Sequence, residues 1–139
     1  MKQKSGDISV ATQGRGVLDV SAQISRWVRD TGIREGILTI FIQHTSASLT
    51  IQENADPDVL LDLQDFFDVQ VPEDRHKYRH SAEGLDDMPA HIKSSLTDVS
   101  LTIPIYQGAM RLGTWQGVYI FEHRSQPHQR NLALHVLGN

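Results

Sequence analysis

Two stretches of the chain carry side chains suited to chemistry. The first is His44-Thr45-Ser46-Ala47-Ser48, one imidazole and three hydroxyls placed where an apolar run ends. Side chains at the mouth of a sheet can be held rigidly and still reach a ligand, although the same residues also suit a turn whose hydroxyls cap backbone groups. The second is Tyr78-Arg79-His80-Ser81-Ala82-Glu83-Gly84-Leu85-Asp86-Asp87-Met88-Pro89-Ala90-His91, two histidines with three carboxylates between them. Their separation is far from the His-x-x-x-His interval that points two imidazoles the same way from one helix. A metal held by His80 on the loop and His91 on the following helix therefore needs a third ligand from elsewhere, and His44 is the obvious donor. Three neutral imidazoles with an open position make a catalytic type of zinc site. A polar loop with histidines can equally be a solvated segment with no ligand.

Weaker signals lie elsewhere. Gln52-Glu53-Asn54-Ala55-Asp56-Pro57 sets a carboxylate at a strand end just before a helix start, which suits either function or helix entry. Gly113-Thr114-Trp115-Gln116 reads as a glycine turn, with the indole either packed or facing a ligand. Lys93, Arg124 and Arg130 are scattered cations that would hold a diphosphate only if the fold brought them together. Neither GxxxxGK[ST] nor GxGxxG occurs, which removes the P-loop and Rossmann modes of phosphate binding.

Composition narrows the chemistry further. The chain has 139 residues, seven histidines and no cysteine, so thiolate zinc modules, cysteine nucleophiles and iron–sulfur clusters are excluded. Any metal must be held by imidazole, carboxylate or water. With 13 basic and 17 acidic residues the net charge is −4, a poor match to a protein that binds nucleic acid by neutralising phosphates. No apolar run follows the two N-terminal lysines, so the expectation is a cytoplasmic protein with neither signal peptide nor membrane span. The length fits one domain over residues 1–139.

Periodicity supplies the elements that would position these residues. Short strands are expected around Ile8–Val10 and Val17–Leu18, then an amphipathic helix over Asp19–Asp30 with Asp19 as N-cap and Gly32 past its end. The run 37–42 and the alternation Ala47, Leu49, Ile51 give two strands with the polar cluster at their junction. Asp56-Pro57 opens a second helix, ended by Pro72. Residues 73–86 form a long polar loop, and a third helix starts at Asp87-Met88-Pro89 with Met88, Ile92, Leu96 and Val99 inward. Strands near 100–105, 117–122 and 131–137 close the chain. This order lacks strict βαβ alternation and points to an α+β fold, a largely antiparallel β-sandwich with about three short flanking helices.

The set His44-Thr45-Ser46-Ala47-Ser48, Glu53-Asn54, Tyr78 with His80, Asp87 to His91, and Ser100-Leu-Thr-Ile-Pro-Ile-Tyr-Gln-Gly108 through Gly113-Thr114-Trp115-Gln116 resembles the YjbQ family, also described as secondary thiamine-phosphate synthases. The similarity runs from about residue 3 to residue 137. It implies an antiparallel sandwich assembled as a homotrimer, with a polar pocket that can hold a divalent metal, zinc or magnesium. The implied activity joins hydroxymethylpyrimidine diphosphate to thiazole phosphate. On this reading His44, His80 and His91 bind the metal, and Glu53 and Asp87 orient ligands or move protons. Thr45, Ser46, Ser48, Trp115, Gln116 and Arg130 would face the phosphorylated substrate. A metal-dependent hydrolase of another substrate and a non-catalytic metal- or metabolite-binding trimer are the alternatives.

Overall fold

The computed structural model describes residues 1–139. The strands are β1 (Lys2–Thr12), β2 (Gly16–Asp19), β3 (Gly36–Ile42), β4 (Ala47–Glu53), β5 (Ser100–Tyr106), β6 (Ala109–Met110), β7 (Gln116–Glu122) and β8 (His128–Gly138). The helices are α1 (Ser21–Thr31), α2 (Pro57–Gln70) and α3 (Asp87–Leu96). None of these helices is long and apolar enough to cross a membrane.

The strands form two antiparallel sheets, one in the order β1-β8-β3-β5-β6 and the other β2-β7-β4. The fold is α+β, as the element order predicts. One core of 17 buried residues lies between the sheets. Alternation places Leu38, Ile40 and Ile42 of β3 and Leu132, Leu134 and Val136 of β8 inward, against Leu49, Val118 and Ile120 of the smaller sheet. Helices α2 and α3 pack on β4, so β7 is buried on both faces from Gly117 to Glu122. Its second face carries Tyr119, Phe121 and, just past the strand, His123.

Helix ends follow local chemistry. Asp56 caps α2 through Oδ1, which accepts from the Asp58 N–H at 3.0 Å, and Pro57 occupies the first turn. Gly32 ends α1 at φ 74°, a left-handed position that suits glycine. The N-cap of α1 is Val20, not Asp19, although the Asp19 carboxylate still accepts from the Ser21 N–H at 2.8 Å.

Helix α3 departs from its expected face. Leu96 is 63% exposed and Val99 42%, whereas Asp87, Ala90, Lys93 and Ser94 are buried. The apolar spacing misleads because the inward charged groups have partners. Asp87 is bound by Arg124 and both nearby histidines, and Lys93 Nζ donates to Asp68 Oδ1 of α2 at 2.6 Å. A buried charge so paired is tolerated where an unpaired one is not.

Candidate metal centre

The loop before α3 and its first turns bring His80, Glu83, Asp87 and His91 together, with one ligand atom of each within 4.8 Å of the others. Asp87 and His91 stand one helical turn apart on α3, the i,i+4 relation that sets side chains on one face. The loop is turned back toward them at Gly84, whose φ of 112° suits glycine and few other residues. Asp87 Oδ2 lies 2.5 Å from His80 Nε2 and 3.0 Å from His91 Nε2, and Glu83 Oε2 is 3.4 Å from His80 Nε2.

The surroundings fix this group from behind. The His91 Nδ1–H donates to the Thr45 carbonyl at 2.9 Å, which turns Nε2 toward Asp87. Arg124, just beyond β7, forms an ion pair between Nη1 and Asp87 Oδ1 at 2.7 Å and donates from Nε to Asp86 Oδ2 at 3.0 Å and from Nη2 to the Glu83 carbonyl at 3.0 Å. Burial alone would raise the Asp87 carboxyl, but hydrogen bonds from its neighbours and the Arg124 charge hold it below the ordinary carboxylate range. Its neighbour Asp86 resists burial in the same way through Ser125 and Arg124 and is pulled down to about 2. The hydrogen bond to Asp87 raises His80 above the usual imidazole value.

A second polar group closes one end of the sandwich core beside the first. Arg130 donates to Glu122 from Nε at 2.7 Å and from Nη2 at 2.5 Å, and Nη2 also reaches the Ser46 carbonyl and hydroxyl at 3.2 and 3.1 Å. Thr12 Oγ1 donates to Glu122 Oε1 at 2.6 Å. The Arg124 N–H donates to Glu122 Oε2 at 3.2 Å. The contacts therefore run as a closed circuit from His91 through Thr45, Ser46, Arg130, Glu122, Arg124 and Asp87 back to His91.

Not every residue expected at the site is there. His44 is outside the four-donor group because its Nε2 accepts the Asn131 N–H at 2.8 Å, and burial lowers its pKa. Ser48 is fully buried against His123 and Thr97, and Ser46 is occupied by Arg130. Thr45 stays exposed and serves the centre through its carbonyl. Arg130 is 2% exposed, and its Nε and Nη2 are committed to Glu122 and Ser46, which leaves only Nη1 outside these bonds. The three cations expected to converge on a diphosphate are instead each paired with an acid.

Glu53, Trp115 and Gln116 sit at the opposite end of the smaller sheet. The β4–β7 register runs from Ala47↔Glu122 to Glu53↔Gln116, a span of ~20 Å along the strands. There, Asn54 Nδ2 donates to the carbonyls of Thr114 and Gln116 at 3.1 Å each, and Gln116 Oε1 accepts from the Gly113 N–H at 2.7 Å. These bonds hold the turn while Trp115 stands 65% exposed, so its indole is not packed.

Sequence reasoning missed Glu83 and Arg124. The signal for Glu83 was the interval from His80 through Glu83 and Asp87 to His91, successive steps of three, four and four residues. These steps are the helical spacing that the His80-to-His91 count conceals. Arg124 had no local signal, since the three residues it grips lie 37 and more positions earlier.

Known proteins agree with this architecture. A UPF0047 protein of Synechocystis is 54% identical over 137 residues, covering 99% of this chain and 93% of that protein. UPF0047 protein YjbQ of Escherichia coli O157:H7 is 40% identical over 132 residues, covering 94% and 95%. A crystal structure of an uncharacterised YjbQ/UPF0047 protein from Clostridium acetobutylicum superposes with a TM-score of 0.86 at 35% identity, covering 94% of this chain and 98% of that one. The family model described as UPF0047 protein YjbQ-like matches residues 6–139, and the chain belongs to that family.

Proposed function

We propose that the protein is a metal-dependent enzyme for a small phosphorylated substrate, and that it condenses hydroxymethylpyrimidine diphosphate with thiazole phosphate. The observation that carries the metal reading is His91. Its Nδ1 must donate, because Thr45 offers a carbonyl, so in neutral imidazole the Nε2 lone pair confronts a carboxylate oxygen at 3.0 Å. Two acceptors at that distance need a cation, either a proton or a metal ion. His80 and Glu83 aim at the same point, and a tethered Nδ1–H is how metal-ligating histidines are commonly oriented. Two imidazoles with two carboxylates suit zinc or another transition metal better than magnesium, which prefers oxygen ligands.

When bound, the metal supplies Lewis-acid stabilisation of the charge that gathers on a leaving diphosphate. The chain's own residues do the rest. Asp87, held ionised, fixes both imidazoles. A cavity of about 390 Å³ opens beside Thr45, lined by Phe41, Ile42, Gln43, His44, Thr45 and Val99, and its mixture of apolar walls and polar groups suits a heteroaromatic ring. Arg75, Lys77 and Arg79 on the preceding loop are exposed and supply cations for phosphate oxygens. In the reaction the carbon–oxygen bond to diphosphate breaks with its electron pair on oxygen, and the thiazole nitrogen lone pair forms the new carbon–nitrogen bond.

Hydrolysis is the second reading, favoured by one observation: Lys93, Arg124 and Arg130 are each paired with an acid and not gathered into one diphosphate cradle. Incubating purified protein with both precursors, and separately with the diphosphate alone, decides between the two. Thiamine phosphate that disappears with chelation and in His91→Ala supports condensation. Diphosphate released without the thiazole partner supports hydrolysis, and full activity after chelation defeats the metal reading.

Assembly as a homotrimer is part of the proposal. Ile37, Phe41, Tyr106 and Leu137 are exposed on strands of the five-stranded sheet, and Ile37 is paired in register with Leu137. Exposed apolar residues grouped on one sheet face are the kind of surface that association buries.

A further inference from the structure

We propose that Arg124 is a positioning residue that dictates how Asp87 meets a metal ion, by occupying one carboxylate oxygen and leaving only the other for the ion. This rests on the metal reading of the centre. Asp87 is 1% exposed, and its two oxygens are divided without overlap. Oδ1 is ion-paired with Arg124 Nη1 at 2.7 Å, and Oδ2 faces both His80 and His91.

Arg124 is built for this task on both sides. Behind it, the backbone N–H is tied to Glu122, whose carboxylate is itself locked into the buried pair with Arg130. In front, the guanidinium meets the Glu83 carbonyl, the Asp86 carboxylate and the Asp87 carboxylate at once. A planar fork with several fixed donors can bridge three such acceptors, whereas a lysine ammonium acts as a point charge. Two of the three residues it grips, Glu83 and Asp87, also offer ligand atoms to the centre. One side chain therefore sets the spacing of half the donor set.

The consequence concerns the open position. A carboxylate free to rotate can bind a cation through both oxygens and consume two coordination sites. With Oδ1 held by Arg124, Asp87 supplies one oxygen, and the site so vacated stays available to water or substrate. An accessible position is what separates a catalytic centre from a closed structural one.

Cobalt(II) binding to the full-length chain tests this, since its visible absorption weakens and shifts as coordination number rises. Arg124→Ala is expected to lower cobalt affinity about 10- to 100-fold, the usual cost of losing a residue that supports a ligand, and to weaken the visible band. Arg124→Lys keeps the charge without the fork and should also alter the spectrum. It decides the matter if Arg124→Ala fails to fold by circular dichroism. Ser125→Ala removes one bond to Asp86 and should leave the band unchanged. A wild-type spectrum in both arginine variants overturns the inference and spares the metal reading. A Ser125→Ala spectrum as altered as that of Arg124→Ala also overturns it, because loosening of the loop would then suffice. If the wild-type protein takes up no cobalt, the inference falls together with the metal reading.

Discussion

Ser48 Oγ and His123 Nε2 lie 2.8 Å apart in the interior, and the hydrogen between them belongs to the histidine. Thr97 Oγ1 touches both the Lys93 carbonyl, at 2.7 Å, and Ser48 Oγ, at 2.6 Å, with one hydrogen to give. The carbonyl can only accept, so Thr97 donates to it, Ser48 donates to Thr97, and Ser48 must accept from His123. The other ring nitrogen, Nδ1, is buried with no hydrogen-bond partner.

Acid should destabilise the protein through this residue. Burial, reinforced by the nearby Lys93 charge, pushes the His123 pKa down to about 3, against an ordinary 6.5. The unfolded chain thus accepts a proton that the folded one refuses. The stabilisation is complete above pH 6.5 and is lost as pH falls toward 3, by up to about 1.4 kcal/mol per pH unit. Urea titrations between pH 7 and 5 with chelator present should show this slope in wild type and a shallower one in His123→Gln. Equal slopes would refute it.

Metal retention should sort the histidines by place and not by type. After dialysis against trace zinc, His80→Ala and His91→Ala should lose stoichiometric metal, and His44→Ala should keep it. Elemental analysis reads the result, and loss of zinc in His44→Ala would return that residue to the donor set.

Breaking the Glu122–Arg130 pair should cost stability out of proportion to its size. Removing one partner leaves the other charge buried, an effect of about 3–5 kcal/mol. Arg130→Met should show that loss in denaturant unfolding, and Glu122→Gln with Arg130→Met should recover part of it. A single variant within about 1 kcal/mol of wild type would count against the pair's isolation from water.

The distant end of the smaller sheet should be independent of the centre. Glu53→Gln and Trp115→Ala are expected to change cobalt or zinc affinity less than twofold, as measured by titration, because changes well beyond contact distance act separately. If either variant nonetheless loses activity, the residue acts on substrate bound at another chain's centre.

Self-association should depend on the exposed face of the five-stranded sheet. Phe41→Asp puts a charge among Ile37, Ala133 and Val99 and should move the sedimentation equilibrium mass toward that of a monomer. An unchanged mass would relocate the interface.

Much of the fold could be read from spacing. Alternation in Leu132, Leu134 and Val136 and the Asp56-Pro57 helix start fall where the structure has them. What failed was polar burial. The apolar spacing assigned the inner face of α3 to Met88, Ile92, Leu96 and Val99, and only long-range partners, Asp68 and Arg124, bring Lys93 and Asp87 inside instead. His80 and His91 stood out by residue type and Asp87 by the family resemblance, while His44 was added for lack of a nearby third imidazole, when carboxylates already lay within reach. Distance along β4 and β7 was equally invisible. The turn around Trp115 and the histidine cluster are both rich in polar residues, and nothing local says that seven rungs of sheet separate them.

The closed circuit through residues 45, 46, 83–91 and 122–130 also dictates when a centre can exist during biosynthesis. Chains emerge from the ribosome N-terminus first, so His80, Glu83, Asp87 and His91 are all outside long before Arg124 and Arg130 arrive to hold them. Until the last two strands have paired, the loop has no anchor for Asp87 and His91 has no fixed Thr45 carbonyl beside it. On the proposed metal reading, capture would be deferred to the finished chain, and a bound ion would certify that β7 and β8 are in place.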